Sequence, residues 1–172
     1  TKYLSWEPHK DVEETKQILE GWIKSYESKD FYTWAIARKE DEGNVIGSIS
    51  VPQLNQKAGR VTVGYCLGRN WWGHKIMKEA FAELIRFFFE VEGANRVEAL
   101  HDTRNVNSGK VMAACGLKKE GTLRRYGWNN QGICDECIYG MVASDYFEGK
   151  QRWENKLGKQ EIEGYVWTAG YR

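Results

Sequence analysis

The stretch 60–91 constrains this chain more than any other. A β-rich run, 60–67, is followed after a short connection by a segment, 74–91, in which Ile76, Met77, Ala80, Phe81, Leu84, Ile85 and Phe88 recur at i, i+3/i+4 spacing. Gly93 then supplies a left-handed stop. A strand that reopens as a long, core-packed helix needs a sheet for that helix to lie on, so the chain belongs to the mixed α+β class.

The flanking elements extend the same pattern. Asp11 with Glu14 forms a capping signature, and Ile18, Leu19, Trp22, Ile23 and Tyr26 follow at helical spacing, predicting a helix over 12–27. Three β-rich runs, 31–38, 45–51 and 60–67, are separated by Glu40-Asp41-Glu42-Gly43-Asn44 and Gln56-Lys57-Ala58-Gly59, both turn compositions, and read as an antiparallel meander. Residues 96–101 suit a strand running up to His101-Asp102. A helix over 108–115 follows, with Ser108 at its start and Gly116 past its end. Strands at 117–125 and 133–143, joined through Asn129-Asn130-Gln131-Gly132, close the set. The order is helix, three strands, helix, strand, helix, two strands. From Gly149 the composition turns polar, with Tyr165-Val166-Trp167 as the apolar anchor. The expected organisation is therefore one domain over 1–147 and a C-terminal appendage over 148–172.

Composition narrows the function classes. The 172 residues, 41% hydrophobic and 28% charged, are enough for one compact domain with its own core. A formal net charge of +1 leaves no general electrostatic footprint for nucleic acid or an anionic membrane. No apolar run approaches the roughly 20 residues of a membrane span. Cys66, Cys115, Cys134 and Cys137 are too few and too scattered for a disulfide scaffold, which favours a reducing, cytoplasmic setting. Cys134-Asp135-Glu136-Cys137 lacks the second pair of ligands that a tetrahedral metal site needs, so no metal is expected. The eight tryptophans are spread over every element and read as core or interface.

The junction Val63-Gly64-Tyr65-Cys66-Leu67-Gly68-Arg69-Asn70-Trp71-Trp72-Gly73-His74-Lys75-Ile76-Met77 has the makings of an anion site. The first turn of a helix carries unpaired N–H groups and the positive end of the macrodipole, so a loop wrapping onto it can cradle a pyrophosphate. Gly73 permits close backbone approach, and His74, Lys75 and Lys78 gather donors at the same end. An ordinary strand–helix connection with a solvated basic face is the other reading of the loop alone.

The downstream residues favour the first. The string W-G-H-K-I-M-K-E-A at 72–80, with Asn70, Gly73 and Lys75 on the family's loop positions, resembles the GNAT superfamily of acyl-coenzyme A-dependent N-acetyltransferases, closest to the branch with ribosomal-protein alanine N-acetyltransferases. A second signature runs from Arg104 through Asn105, Ser108, Val111 and Gly116 to Leu117, at the family's spacing. The resemblance covers roughly 3–147. It implies a twisted, mostly antiparallel sheet splayed at a cofactor groove, with helices on both faces, and acetyl-CoA as cosubstrate. Backbone groups of Tyr65, Cys66 and Leu67 would bond the pantetheine arm as an added strand would. Trp72, Gly73, His74, Lys75, Ile76 and Met77 would wrap the pyrophosphate, and the Asn105 amide would reach the cofactor arm. The family fold also begins with a strand and helix ahead of the position of Thr1, so the tail around Ile162 to Trp167 is expected to pack on the sheet of its own or a partner chain.

The catalytic roles carry over unevenly. Many relatives place a tyrosine proton donor at the position of Met112, which has no proton to give. In the alanine-acetylating branch a serine matching Ser108 fills the role, the alternative being a plain helix cap. The branch's glutamate base falls on Thr62, which leaves His101 and Asp102 as candidate bases. An α-amine near pKa 8 is about a fifth deprotonated at slightly alkaline pH, against about a thousandth for a lysine. A site without a strong base therefore suits a peptide or protein N-terminus. A small-molecule amine such as a polyamine or aminoglycoside is the alternative acceptor, and a non-catalytic acyl-CoA-binding module the alternative function. The aromatic content predicts a homodimer.

Overall fold

A computed structural model of the chain describes residues 1–157 and 165–168. Helix α1, Val12–Ser25, starts where Asp11 accepts the Glu14 N–H at 2.8 Å, and Glu14 in turn accepts the Lys10 N–H at 2.6 Å. Strands β1 (Thr33–Arg38), β2 (Asp41–Asn55) and β3 (Arg60–Leu67) form the expected meander. A 3-10 turn, Arg69–Trp71, leads into α2, Ile76–Glu90. Then come β4 (Arg96–Asp102), α3 (Val106–Ala114), β5 (Lys118–Asn129), β6 (Gly132–Val142), α4 (Ala143–Leu157) and β7 (Tyr165–Thr168). The strands make one seven-stranded sheet in the order β5-β6-β4-β3-β2-β1-β7, antiparallel except for β3–β4.

Strand alternation decides where the core sits. Val61 and Val63 of β3 and Val97 and Ala99 of β4 share one face, are buried, and receive the apolar stripe of α2: Ile76, Ala80, Phe81, Leu84, Ile85 and Phe88. At the β1 side Tyr32 and Trp34 meet Phe87 and Phe88 edge-on, with ring centroids 5.1 to 6.4 Å apart. The opposite face of β3 and β4 is polar. Buried Glu98 accepts from Thr62 Oγ1 at 3.0 Å and from Arg96 Nε at 2.8 Å, and Arg96 also pairs with Glu120 at 2.5 Å. A buried carboxylate needs such partners to offset its desolvation. Gly140 makes the room, since a Cβ there would collide with the Arg96 guanidinium.

Two features depart from the sequence reading, and a third agrees with it. Helix α3 begins at Val106 with Asn105 as its N-cap, so Ser108 sits one turn inside and is not the cap. The polar tail contains α4, which runs unbroken across 147/148 and is anchored by buried Tyr146 stacking on Phe89 at 4.9 Å. Polar composition hid it because a single buried ring fixes its start. The tail also reaches the sheet: β7 pairs antiparallel with β1, from Ala35↔Thr168 to Arg38↔Tyr165, as expected for 165–167, while Ile162 lies outside the described residues.

That pairing covers the edge of β1. Removing residues 158–172 should raise amide exchange across Thr33–Arg38 at least about tenfold, with little change in β4 to β6. Hydrogen-exchange mass spectrometry reads both regions in one run.

Candidate active site

The parallel β3–β4 ladder is short. Arg60↔Arg96, Val61↔Val97, Thr62↔Glu98 and Val63↔Ala99 pair, and then the strands part. Beyond Val63, β3 keeps only its β2 partner, from Ser50↔Gly64 to Gly47↔Leu67. Beyond Ala99, β4 keeps only β6, from Leu100↔Ile138 to Asp102↔Glu136. Among the described residues one edge of Gly64–Leu67 is therefore free inside the sheet, where a strand-like ligand can take up its unpaired backbone groups. Tyr65 closes the helix side of this split. Its ring lies 5.5 Å from Phe81, and its hydroxyl is 2.8 Å from Ser108 Oγ and donates toward Ser108 O at 3.1 Å. Burial raises the Tyr65 phenol well above its ordinary range.

The connection from β3 to α2 sets a second group of donors at the same end. Lys75, the N-cap of α2, is left-handed at φ 64° and gives no side-chain cap, so among the described residues nothing caps the N–H groups of the first turn. Gly73 is left-handed at φ 83°, and a Cβ there would meet nothing within 4 Å. Glycine is thus required by the backbone conformation and not by crowding inside the chain. Exposed Trp72 folds back, its Nε1 donating to Leu67 O at 2.8 Å, with the Arg69 guanidinium over its ring. His74 and Lys75 are exposed, whereas the side chains of Ile76 and Met77 are buried, so only the backbone of these two faces a ligand.

Among the downstream residues, the N-cap Asn105 has no side-chain capping bond, and its N–H donates to Asp102 O at 2.7 Å. Among the described residues its side-chain amide has no hydrogen-bond partner. Ser108 and Tyr65 meet directly, a contact that sequence spacing does not show. Met112 is buried in the core, and Thr62 is bonded to Glu98.

His101 and Asp102 alternate to opposite faces, and neither is placed as a base. His101 is buried on the α3 side, its Nδ1 2.7 Å from Asp102 O and its Nε2 without a hydrogen-bond partner among the described residues. A Cβ at Gly109 would stand 2.6 Å from that nitrogen, so α3 seals the ring. Asp102 accepts from Arg104 N at 2.8 Å, Arg104 Nη2 at 2.6 Å and Asn129 Nδ2 at 2.8 Å. The Arg104 bonds hold its carboxyl far below the usual carboxylate range, where it is a poor proton acceptor. Both were candidates from the sequence because they end a strand near the motif, and only the fold shows what they touch.

Comparisons with known proteins agree with this geometry. Residues 1–118 match the family described as acetyltransferase (GNAT) domain. The uncharacterized N-acetyltransferase p20 of Bacillus licheniformis is 31% identical over 147 residues, covering 85% of this chain and 82% of that protein. The ribosomal protein uS5 alanine N-acetyltransferase of Escherichia coli strain K12 is 24% identical over 152 residues, covering 84% and 77%. Among solved structures, the microcin C7 self-immunity acetyltransferase MccE in complex with acetyl-CoA and AMP superposes with a TM-score of 0.73 at 21% identity, covering 82% and 77%.

The Asp102–Arg104 pair makes stability pH-dependent in a definite direction. A folded-state pKa below the unfolded value of about 3.9 contributes stability above that pH and loses it as pH falls further. Arg104→Met should therefore be less stable than the parent at pH 6, and the difference should shrink toward pH 2.5. Urea unfolding at the two pH values measures it.

Proposed function

The chain belongs to the GNAT acetyltransferase family and is an acetyl-CoA-dependent N-acetyltransferase; from that premise we propose that its acceptor is the α-amine of a peptide or protein N-terminus. The observation that carries the reading is the split after Val63 and Ala99, opening beside the uncapped start of α2. A free strand edge suits the amide-bearing pantetheine arm, and unpaired helix N–H groups suit a pyrophosphate. The residues present fit acetyl-CoA on both counts.

In this reading the backbone of Tyr65, Cys66 and Leu67 aligns the arm, and Asn105 offers its amide from the far side of the split. The loop Trp72, Gly73, His74, Lys75, Ile76 and Met77 holds the phosphates, by backbone at the last two positions and with added charge from Lys75. Ser108 stands where the departing sulfur needs a donor. The Tyr65 hydroxyl, 2.8 Å from Ser108 Oγ, holds the serine beside the split, and the phenol stays protonated because burial raises its pKa. Acetyl-CoA brings the activated acyl group. The neutral amine nitrogen forms the new C–N bond, the C–S bond breaks, the sulfur leaves as a thiolate stabilised by the Ser108 hydroxyl, and the proton shed by the nitrogen ends on that sulfur, giving the amide and coenzyme A thiol.

The α-amine assignment rests on the amine itself: Thr62 stands where the branch has a glutamate, and an α-amine of pKa about 8 asks far less of any base elsewhere in the site than a lysine amine near 10.4 does. Relatives named for ribosomal-protein alanine acetylation support it. A cytoplasmic homodimer remains part of the proposal, with sedimentation at high micromolar concentration as its check.

Two measurements test the assignment. Acetyl-CoA should raise the melting temperature in a dose-dependent way, and release of coenzyme A should be fastest with alanine- or serine-initiated peptides when compared with spermidine and aminoglycosides. Preference for a polyamine would move the acceptor to the small-molecule class, and binding without turnover would make the chain a non-catalytic acyl-CoA module. Ser108→Ala should lower kcat at least about tenfold with acetyl-CoA affinity nearly unchanged, because the donor acts on the departing sulfur.

A further inference from the structure

The sheet face turned away from α2 and α3 carries a carboxylate that none of the roles above uses. Glu136 lies on β6 directly opposite Asp102 of β4, so the two share a face. Its half-buried side chain reaches over β5 at Gly127, where a Cβ would collide with its carboxyl group. Between Leu123 and Gly127 β5 bulges, with Arg125 left-handed at φ 50° and its N–H donating to Asp135 Oδ1 at 2.7 Å. A bulge pinned by a non-glycine residue in that conformation re-aims a strand at some cost in energy. Here the shape and the glycine together clear the space the Glu136 carboxylate fills.

The two neighbouring carboxyls differ sharply. Asp102 is saturated by Arg104 and Asn129, whereas no hydrogen bond or ion pair among the described residues takes the Glu136 carboxylate. Burial, and then the Asp102 charge, push the Glu136 carboxyl up while Arg104 holds Asp102 down. Adjacent acids driven apart in this way divide into a structural anion and a working base. Asp102 follows the last β3–β4 pair by three residues, about 10 Å of strand, and Glu136 is its direct partner on β6, so the carboxylate lies level with the open end of the split and one strand behind the strand that walls it.

We propose that Glu136 is the proton acceptor for the incoming amine, and that this face of the split is where a cationic amine docks. The inference rests on the acetyltransferase reading above. An ammonium gives one proton to the Glu136 carboxylate, the freed lone pair forms the C–N bond, the C–S bond breaks, the second proton on that nitrogen passes to the departing thiolate to give the amide and coenzyme A thiol, and Glu136 releases its proton to solvent. The charged and titratable groups near it include Asp102 and Arg104 at the end of β4, Cys134 and Asp135 on β6, and Arg124, Arg125 and Tyr126 in the bulge. Glu136→Gln removes the acceptor with little change in shape.

The test uses the full chain, acetyl-CoA and an alanine-initiated peptide. At pH 7, Glu136→Gln should lower kcat/KM for the peptide at least about tenfold while the melting shift with acetyl-CoA is retained. At pH 9.5, where an α-amine of pKa about 8 is already the free base, the deficit should fall to within about threefold. Gly127→Ala, which places a methyl where the carboxylate lies, should reproduce the loss at pH 7 with the same cofactor binding. A deficit below about twofold at pH 7, or one equal at both pH values, overturns the inference alone. A parent protein that binds acetyl-CoA and acetylates no amine overturns it together with the function it rests on.

Discussion

The site depends on where one ladder of hydrogen bonds stops. Four residue pairs join β3 to β4, and past Val63 and Ala99 each strand turns to a different neighbour. Had the ladder continued to Leu67, every backbone group of the sheet interior would be internally satisfied and the strand edge would offer nothing to a ligand. The split is stable because its two walls are braced elsewhere: β3 by β2 and by the Tyr65 contacts with Phe81 and Ser108, β4 by its full pairing with β6.

Strand alternation then sorts chemistry by face. Val61, Val63, Tyr65, Val97, Ala99 and His101 look toward the helices, and Thr62, Glu98, Asp102 and Glu136 look away. The helix side supplies rigidity and a hydroxyl pair, Tyr65 and Ser108. The other side supplies carboxylates that differ in their partners: Glu98 and Asp102 are held by arginines, and among the described residues Glu136 is not. Residue type alone does not separate them, since all three are acids on adjoining strands.

Much of the fold was legible because it is written in local periodicity. The stripe from Ile76 to Phe88 and the run 60–67 correspond to α2 and β3, and the turn compositions mark the hairpins. Legibility failed where a contact distant in sequence decides the outcome. Helix α4 depends on Tyr146 meeting Phe89, and Ser108 acquires its partner only when β3 and α3 come together. At the candidate site the loop motif was visible as a string, whereas the state of His101, Asp102 and Glu136 follows from packing across β4, β5 and β6. A glycine at 127 carries no sequence signal until the neighbouring strand's glutamate is seen lying over it.

The short seam also has a kinetic meaning. On one side of it stand β1, β2 and β3, and on the other β4, β5 and β6; β1–β2–β3 and β5–β6 are joined through tight turns between neighbours in sequence. Joining the halves requires the crossover of residues 68–95, with α2 laid across both, for the return of only four backbone pairs. Long-range parallel pairing of this kind forms late, after local hairpins and helices. The cleft is therefore among the last parts of the molecule to exist during folding, and a cofactor spanning it would act as a clasp that slows the two halves from parting.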